Sequence, residues 1–320
     1  MVGGDDEEAR MGEAGRRDGV LVVGSVSVDV TAFASRLPAP GETVLGEACT
    51  LVLGGKGANQ AVAAARAGAP TRFVARIGDD PFAAIVAAGL ADAGVDLAHV
   101  ARTEGPTGIA HIRVDAAGEN DIVVVANANA ALSPDDVDAA LTAEAGRSAA
   151  MLVQLESPLA TVAHAIRRGD EAGLAVVLDP APAQPLDDAL WPHVAVVTPN
   201  ESEASALTGI AVRDAASAEA AARWFLERGA RAAIVTLAGA GAVLVDAAGA
   251  RRVPPFAVDA VDTTAAGDAF AGALAAALAR GDDLDAAARR ASAAGALAVT
   301  RRGASPSIPT AAEVDALLAR

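Results

Sequence analysis

Asp268 is the residue whose neighbours best suit it to moving a proton. It closes the stretch Asp262-Thr263-Thr264-Ala265-Ala266-Gly267-Asp268, which is followed by an Ala/Leu run through Leu278 that can only be helix. Ala265, Ala266 and Gly267 therefore sit where an extended chain turns into a helix. A helix start has N–H groups without intrahelical partners and the positive end of the macrodipole, so it can hold an anion. Small side chains let a ligand reach those N–H groups. Asp268 falls in the first turn, beside any anion held there. A carboxylate so placed can accept the proton of a hydroxyl that attacks a phosphoryl group. The alternative reading is an acid that only stabilises the helix N-terminus.

A second glycine-rich approach to a helix is Gly54-Gly55-Lys56-Gly57-Ala58-Asn59-Gln60, followed by the helical run Ala61–Ala67. It is not a Walker A loop, because Gly57 follows the lysine where Ser or Thr would be needed. No Gly-x-Gly-x-x-Gly follows the first strand either, which weakens a dinucleotide reading. Lys56 is either a solvated loop lysine or, with Asn59 one turn later, a holder of hydroxyl groups on a polar ligand.

These residues need a scaffold, and the hydropathy pattern supplies one. Val20 to Val26 reads as a strand buried on both faces, with Asp29 at its carboxyl end, as a turn cap or as part of a cleft. Pro38, Pro40 and Gly41 break residues 30–53 into two short extended pieces, Thr31–Ser35 and Thr43–Leu53. Arg72–Ile77 is a strand, and Pro81 opens a helix to Ala91. Thr107–Val114 and Asp121–Ala126 flank the hairpin turn 115–120. From Ser133, which caps a helix, strands and helices alternate regularly. Strands are expected at Ala149–Leu155, Leu174–Leu178, Ala195–Thr198 and Ala232–Leu237, with helices at 158–171 and 215–228. An apolar run, Phe256–Val261, reads as a further strand before the Asp262 loop.

Polar residues recur where strands end: Asp29, Glu156, Asp179, Asn200 and Thr236. Their alignment marks one edge of a cleft. Repeated βα units imply right-handed crossovers and a three-layer α/β/α sandwich with a mostly parallel sheet. The antiparallel pieces near 30–53 and 108–126 are expected to form a small β-sheet lid over the strand ends. The domain spans 19–320.

Composition narrows the function. Aromatics are 2% of 320 residues, with no tyrosine, and the net charge is −16. Both argue against nucleic acid as a partner. The charge also repels a nucleotide triphosphate, but only within about 8 Å at physiological salt. A nest of N–H groups and a metal ion must dominate at the site. The single cysteine, Cys49, permits no internal disulfide, favours a cytoplasmic protein and reads as a small buried hydrophobe. No apolar run reaches membrane-spanning length. Residues 1–18 are rich in Gly, Asp, Glu and Arg, wrong for a signal peptide, and read as a disordered tail. His99, His111, His164 and His193 have no metal-ligand spacing.

The two glycine-rich stretches together resemble the two signatures of the ribokinase-like (PfkB) sugar kinases. Gln154-Leu155-Glu156-Ser157-Pro158, Asp179-Pro180-Ala181-Pro182-Ala183, Thr198-Pro199-Asn200-Glu201, Asn129–Pro134 and Ala298–Ala304 extend the likeness to the ribose-specific branch of that family. The resemblance runs from about Val20 to the C-terminus. It implies transfer of the γ-phosphoryl group of ATP to the 5-hydroxyl of D-ribose, with Asp268 as general base. The N–H groups of Ala265, Ala266 and Gly267 would form an anion hole. Ser27, Asp29, Gly54, Gly55, Lys56, Asn59, Glu156 and Asp268 would hold the sugar. Asn200, Glu203, Thr236, Ala238, Gly239, Gly241, Gly267 and Ser292 would hold ATP, with Glu203 also in the Mg²⁺ shell. Asp262, Thr264, Ala298, Arg301, Gly303 and Ser307 would form a K⁺ site. A homodimer through the lid sheet is implied as well.

The chain departs from the family pattern at Ser27, where an asparagine touching the sugar is usual. It also departs at Ala238–Gly241, where glycine is usual, and at Ala271, which replaces a polar residue. Two alternatives stand beside this reading. One is a kinase of another ribosyl compound, deoxyribose or a nucleoside; the other is a sugar-binding regulator without chemistry.

Overall fold

The computed structural model describes residues 17–320. Residues 1–16 of the expected tail lie outside the described residues. Arg17 is described, and its guanidinium donates to Ser148 O and Ala172 O at 3.1 and 3.0 Å.

A nine-stranded sheet forms the centre, in the order β13-β12-β11-β10-β9-β8-β1-β4-β5. Its strands are β1 (Gly19–Val23), β4 (Thr71–Ile77), β5 (Val100–Arg102), β8 (Ser148–Val153), β9 (Ala175–Leu178), β10 (Val196–Val197), β11 (Ala232–Thr236), β12 (Ala242–Asp246) and β13 (Gly249–Val253). All neighbours are parallel except β11/β12 and β12/β13. Strand order reverses on the two sides of β1. Such a switch point opens a crevice at the carboxyl ends of β1 and β8, where open α/β sheets bind ligands.

Side chains alternate along each strand and feed two cores. Val20, Val22, Phe73, Leu152 and Val177 pack with α1 (Lys56–Arg66), α2 (Phe82–Asp92), α7 (Ala266–Arg280), α8 (Leu284–Ala298) and α9 (Ala311–Leu318). Leu21, Val23, Val74, Met151 and Val176 pack with α3 (Pro134–Ala143), α4 (Leu159–Glu171), α5 (Glu201–Thr208) and α6 (Ala215–Glu227). Each fully buried Val or Leu is worth ~1.5–3 kcal/mol. The three-layer sandwich is therefore held from both faces. α7 and α1 approach closely at Gly272, where a Cβ would stand 2.4 Å from Ala63 Cβ and 2.7 Å from Gln60 O.

The small sheet is present, in the order β3-β2-β6-β7, built from β2 (Ser27–Phe33), β3 (Ala48–Gly54), β6 (Ile109–Val114) and β7 (Asn120–Val125). Leu51 and Ile122 to Val125 lie exposed on it.

Several expectations need correction. The first strand ends at Val23, three residues early. Gly24 faces Gln154 so closely that a Cβ would meet Gln154 Oε1 at 1.9 Å. Val26 then pairs with a side chain, its N and O bonded to Asn129 Oδ1 and Nδ2 at 2.9 and 2.8 Å. Asp29 consequently lies within lid strand β2 and not at the end of a core strand. α1 begins at Lys56, five residues before the apolar run that suggested it. Phe256–Val261 forms no strand. Pro254 and Pro255 lack N–H groups for a ladder, and Arg289 holds Pro254 O at 2.7 Å with its guanidinium over the Phe256 ring. β5, β12 and β13 were not anticipated. Cys49 is exposed on β3, not buried.

Candidate active site

Ala265 adopts φ 59°, left-handed backbone that costs a non-glycine residue energy. It is the N-cap of α7 and has no side chain to cap with. By contrast α3, α5, α6, α8 and α9 begin with a capping Ser, Asn, Asp or Thr. The first turn of α7 is thus left open to a ligand. Ala266 N makes one long contact to Thr263 O, 3.3 Å. A Cβ at Gly267 would meet nothing within 4 Å, so the opening is clear on that side.

Asp268, in the first turn, is buried. Asn59 Nδ2 donates to its Oδ2 at 3.1 Å and Gln60 Nε2 to its Oδ1 at 3.0 Å. Burial pushes its pKa up, while the Lys56 ammonium, Gln60 and Asn59 work in the opposite direction. Gln60 Nε2 also donates to Asp179 Oδ2 at 2.6 Å. Burial raises Asp179 to about 7, opposed by Lys56 and Gln60 and reinforced by Glu203 and Asp268. Burial alone would lower the pKa of Lys56, but Asp268, Asp179, Glu156 and Glu203 outweigh it, and the lysine stays charged. One ammonium set among several carboxylates is a fitting place for a ligand with both hydroxyl and phosphate groups.

A cavity of about 180 Å³ opens above these groups. It is lined by Lys56, Asn200, Glu203, Thr236, Ala265, Ala266, Gly267 and Asp268, all singled out in the sequence. Asp179, Thr198, Thr263 and Phe270 complete the lining. Asn200 and Glu203 also form a reciprocal capping box on α5, so each has a structural role besides facing the cavity. Thr236 is brought to Asn200 by a parallel bridge. Beyond it, Ala238 takes φ 44° and Gly241 φ 87°, shaping a tight turn with Gly239 at its exposed tip. Ser292 is half-buried on α8 and does not line the cavity.

The other half of the site lies toward the lid, at the β1/β8 crevice. Glu156 Oε2 accepts from Ser25 Oγ at 2.6 Å and Lys56 N at 3.1 Å. Asp29 accepts from Ser27 Oγ at 3.0 Å, and burial raises it to about 6 against that bond, with Glu156 and Asp268 adding repulsion. Gly54 is pressed against Asp29, where a Cβ would meet Oδ1 at 2.0 Å. Gly55 has φ 88° and lies against Val26 and Ser27. The expected sugar residues are therefore gathered around one crevice. Asn59 already spends its amide on Asp268 and accepts from Ser305 Oγ at 2.7 Å.

The loops expected to hold a cation also meet. Asp262 Oδ1 accepts from Thr264 N and Oγ1 at 2.9 and 2.6 Å, and Oδ2 from Gly303 N at 2.9 Å. These bonds hold the Asp262 carboxyl below its ordinary pKa despite burial. Val261 N and Asp262 N donate to Val299 O, just past Ala298. Ser307 is buried and its Oγ donates to Ala304 O at 2.8 Å, while Arg301 pairs with Glu313.

The sequence reading missed Ser25, Gln60 and Gln154. Gln60 could have been found, because it adjoins Asn59 within the second glycine-rich stretch. Gln154 opens the Gln154–Pro158 stretch that carries the family likeness, though no role was drawn for it; Ser25 carried no such signal, since its role arises only where β1, β8 and α1 converge.

An ATP-handling α/β kinase of small polyols is the class that this fold and site define. The family model described as pfkB family carbohydrate kinase matches residues 17–311. The chain is 40% identical over 298 residues to a ribokinase of Haemophilus influenzae, covering 93% of this chain and 97% of that protein. It is 36% identical over 293 residues to a deoxyribokinase of Salmonella typhi, covering 91% and 95%. Among solved structures it resembles Arabidopsis thaliana ribokinase complexed with ribose and ATP, with TM-score 0.86, 32% identity, and 94% and 99% of the two chains covered. The chain belongs to the pfkB family of carbohydrate kinases.

Proposed function

We propose that this kinase transfers the γ-phosphoryl group of ATP to the 5-hydroxyl of D-ribose, giving ribose 5-phosphate and ADP. The observation that carries the reading is a buried Asp268 in the first turn of an uncapped helix that opens onto the cavity. Asp268 accepts the proton of the attacking hydroxyl. The N–H groups of Ala265, Ala266 and Gly267 stabilise charge on the transferring phosphoryl group, where preorganised donors act most strongly. Asp29, Gly54, Gly55, Lys56, Asn59 and Glu156 hold the sugar, with Ser27 orienting Asp29. Asn200, Glu203 and Thr236 border the nucleotide at the cavity, and Ala238, Gly239, Gly241 and Ser292, outside its lining, would meet the nucleotide beyond it.

Among the described residues Phe270 is the one aromatic lining the cavity, which favours a bare sugar over a nucleoside whose base would seek stacking partners. The deoxyribokinase relative keeps 2-deoxyribose as a second reading. ADP release with MgATP across ribose, 2-deoxyribose, other sugars and nucleosides tests both. Ribose should give the highest kcat/KM; a nucleoside or deoxyribose ahead of it would replace the assignment.

Among the described residues no cluster of three or more His, Cys, Asp or Glu is placed to hold a metal. Mg²⁺ would be carried on the nucleotide phosphates, with Glu203, which lines the cavity and caps Asn200 N at 2.9 Å, meeting its water shell. Bound there, Mg²⁺ would neutralise phosphate charge. The loops at Asp262, Thr264, Ala298, Arg301, Gly303 and Ser307 suit K⁺, with one carboxylate and turn carbonyls as oxygen donors. The protein's own contribution is the Asp262–Gly303 tie, which steadies the loop leading to the anion hole. Replacing K⁺ by tetramethylammonium at constant ionic strength should lower turnover severalfold or more. Equal rates would remove the cation site. The apolar strand β7 and Leu51 support a homodimer in which each lid covers the other.

Among the described residues no helix is long and apolar enough to cross a membrane. With its one thiol, the chain is read as a cytoplasmic enzyme.

A further inference from the structure

We propose that Gln60 is a positioning residue for the general base: its carboxamide joins Asp268 to Asp179 and fixes the direction in which Asp268 presents its proton-accepting lone pairs. The inference rests on the reading of Asp268 as the base.

Gln60 is fully buried on α1. Its nitrogen carries two hydrogens, and each serves a different carboxylate, Asp268 Oδ1 at 3.0 Å and Asp179 Oδ2 at 2.6 Å. Its oxygen accepts from Gln154 Nε2 at 2.6 Å. The amide has one workable orientation. Turned over, its oxygen would face two carboxylates and its nitrogen another nitrogen. Gln154 is itself seated against Gly24, where any Cβ would collide with its Oε1.

The second oxygen of Asp268 is held by Asn59, which Ser305 anchors through Oδ1. One donor on each oxygen prevents rotation of the carboxylate, and its remaining lone pairs keep a constant direction. A group so held is already oriented when the hydroxyl arrives. The charged groups facing Asp268 are Lys56, Glu156, Asp29 and Asp179, with Glu203 across from Lys56 and Asp179. Gln60 supplies the neutral donor that lets two neighbouring carboxylates of this set lie side by side.

The test compares Gln60→Leu and Asp179→Asn with the wild type, measuring kcat, both KM values and the pH dependence of kcat at saturating sugar, which reports groups in the bound complex, with melting curves to confirm folding. Gln60→Leu should lower kcat about 10- to 100-fold, the scale of a misplaced catalytic group, with the nucleotide KM unchanged. Its acid limb should move up by about one pH unit or more, because a donor to a buried carboxylate is lost. Asp179→Asn keeps an oxygen for Gln60, and because burial raises Asp179 to about 7 it carries little charge across the acid limb, so the limb should stay near its wild-type position. Loosened packing around the pair would move the limb in both variants. Should Gln60→Leu fail to fold, Gln60→Glu carries the same upward expectation, since a protonated acid offers one hydrogen in place of two. An unmoved acid limb in folded Gln60 variants, or movement in the same direction by both substitutions, overturns the proposal. Asp268→Asn separates the two readings. If it turns over normally, the base itself is wrong; if it is inactive while the Gln60 variants keep the wild-type profile, only the positioning role falls.

Discussion

At the scale of single residues, the site is an arrangement of carboxylates held together by Lys56 and four neutral side-chain donors, Ser25, Ser27, Asn59 and Gln60. Asp29 shows the consequence most plainly. Burial raises it to about 6, and Ser27 only partly offsets that. As a proposed acceptor of sugar hydroxyls it would act as a carboxylate, so the sugar KM should rise as pH falls through about 6, while the nucleotide KM stays level. Asp29→Ala should raise the sugar KM far more than that for ATP, since two or three charge-assisted bonds of about 1.5–3 kcal/mol each would go. Equal effects on both substrates would make Asp29 structural. Asp268 and Lys56 were legible in the sequence because each stands at a glycine-rich helix start. Gln60 was overlooked although it stands in the same stretch as Asn59, and Ser25 was not legible, because a buried hydroxyl gains meaning only from what folding sets beside it.

At the scale of elements, the site depends on two helix starts being held together. α7 brings Asp268 and α1 brings Asn59 and Gln60, and Gly272 sets their separation. Gly272→Ala should lower stability by ~1–3 kcal/mol through overpacking, and turnover should fall with it. Gly295→Ala is the milder comparison, because its Cβ would meet Ala266 O at 3.2 Å against 2.4 Å to Ala63 Cβ at Gly272. Urea unfolding and kcat measured on both check this, and matching behaviour of the two variants would mean that the close approach is unimportant. Periodicity revealed most βα units because strands buried on both faces read as continuous apolar runs. It failed at Val20–Val26, where Asn129 substitutes for a strand partner, and at Phe256–Val261, where two prolines and Arg289 prevent a ladder. The first failure borders the β1/β8 crevice, and the second leads into the Asp262 loop.

At the scale of the molecule, the lid leaves Leu51 and Ile122 to Val125 exposed, and edge strands of that kind need cover. The wild type should be a dimer by light scattering at micromolar concentration, and Val123→Lys should shift it toward monomer with a higher sugar KM. A wild-type monomer would leave the apolar strand unexplained. The carboxyl ends of β9, β10 and β11 and the open start of α7 line one cavity, with the β1/β8 crevice and the lid beside it, and Asp268 is proposed to perform proton transfer there. The most direct measurement is ribose-dependent ADP release by Asp268→Asn beside wild type, with ATP binding followed in parallel. The account predicts a fall in turnover of roughly 10² to 10⁴-fold with ATP binding retained; turnover within a few-fold of wild type would contradict it.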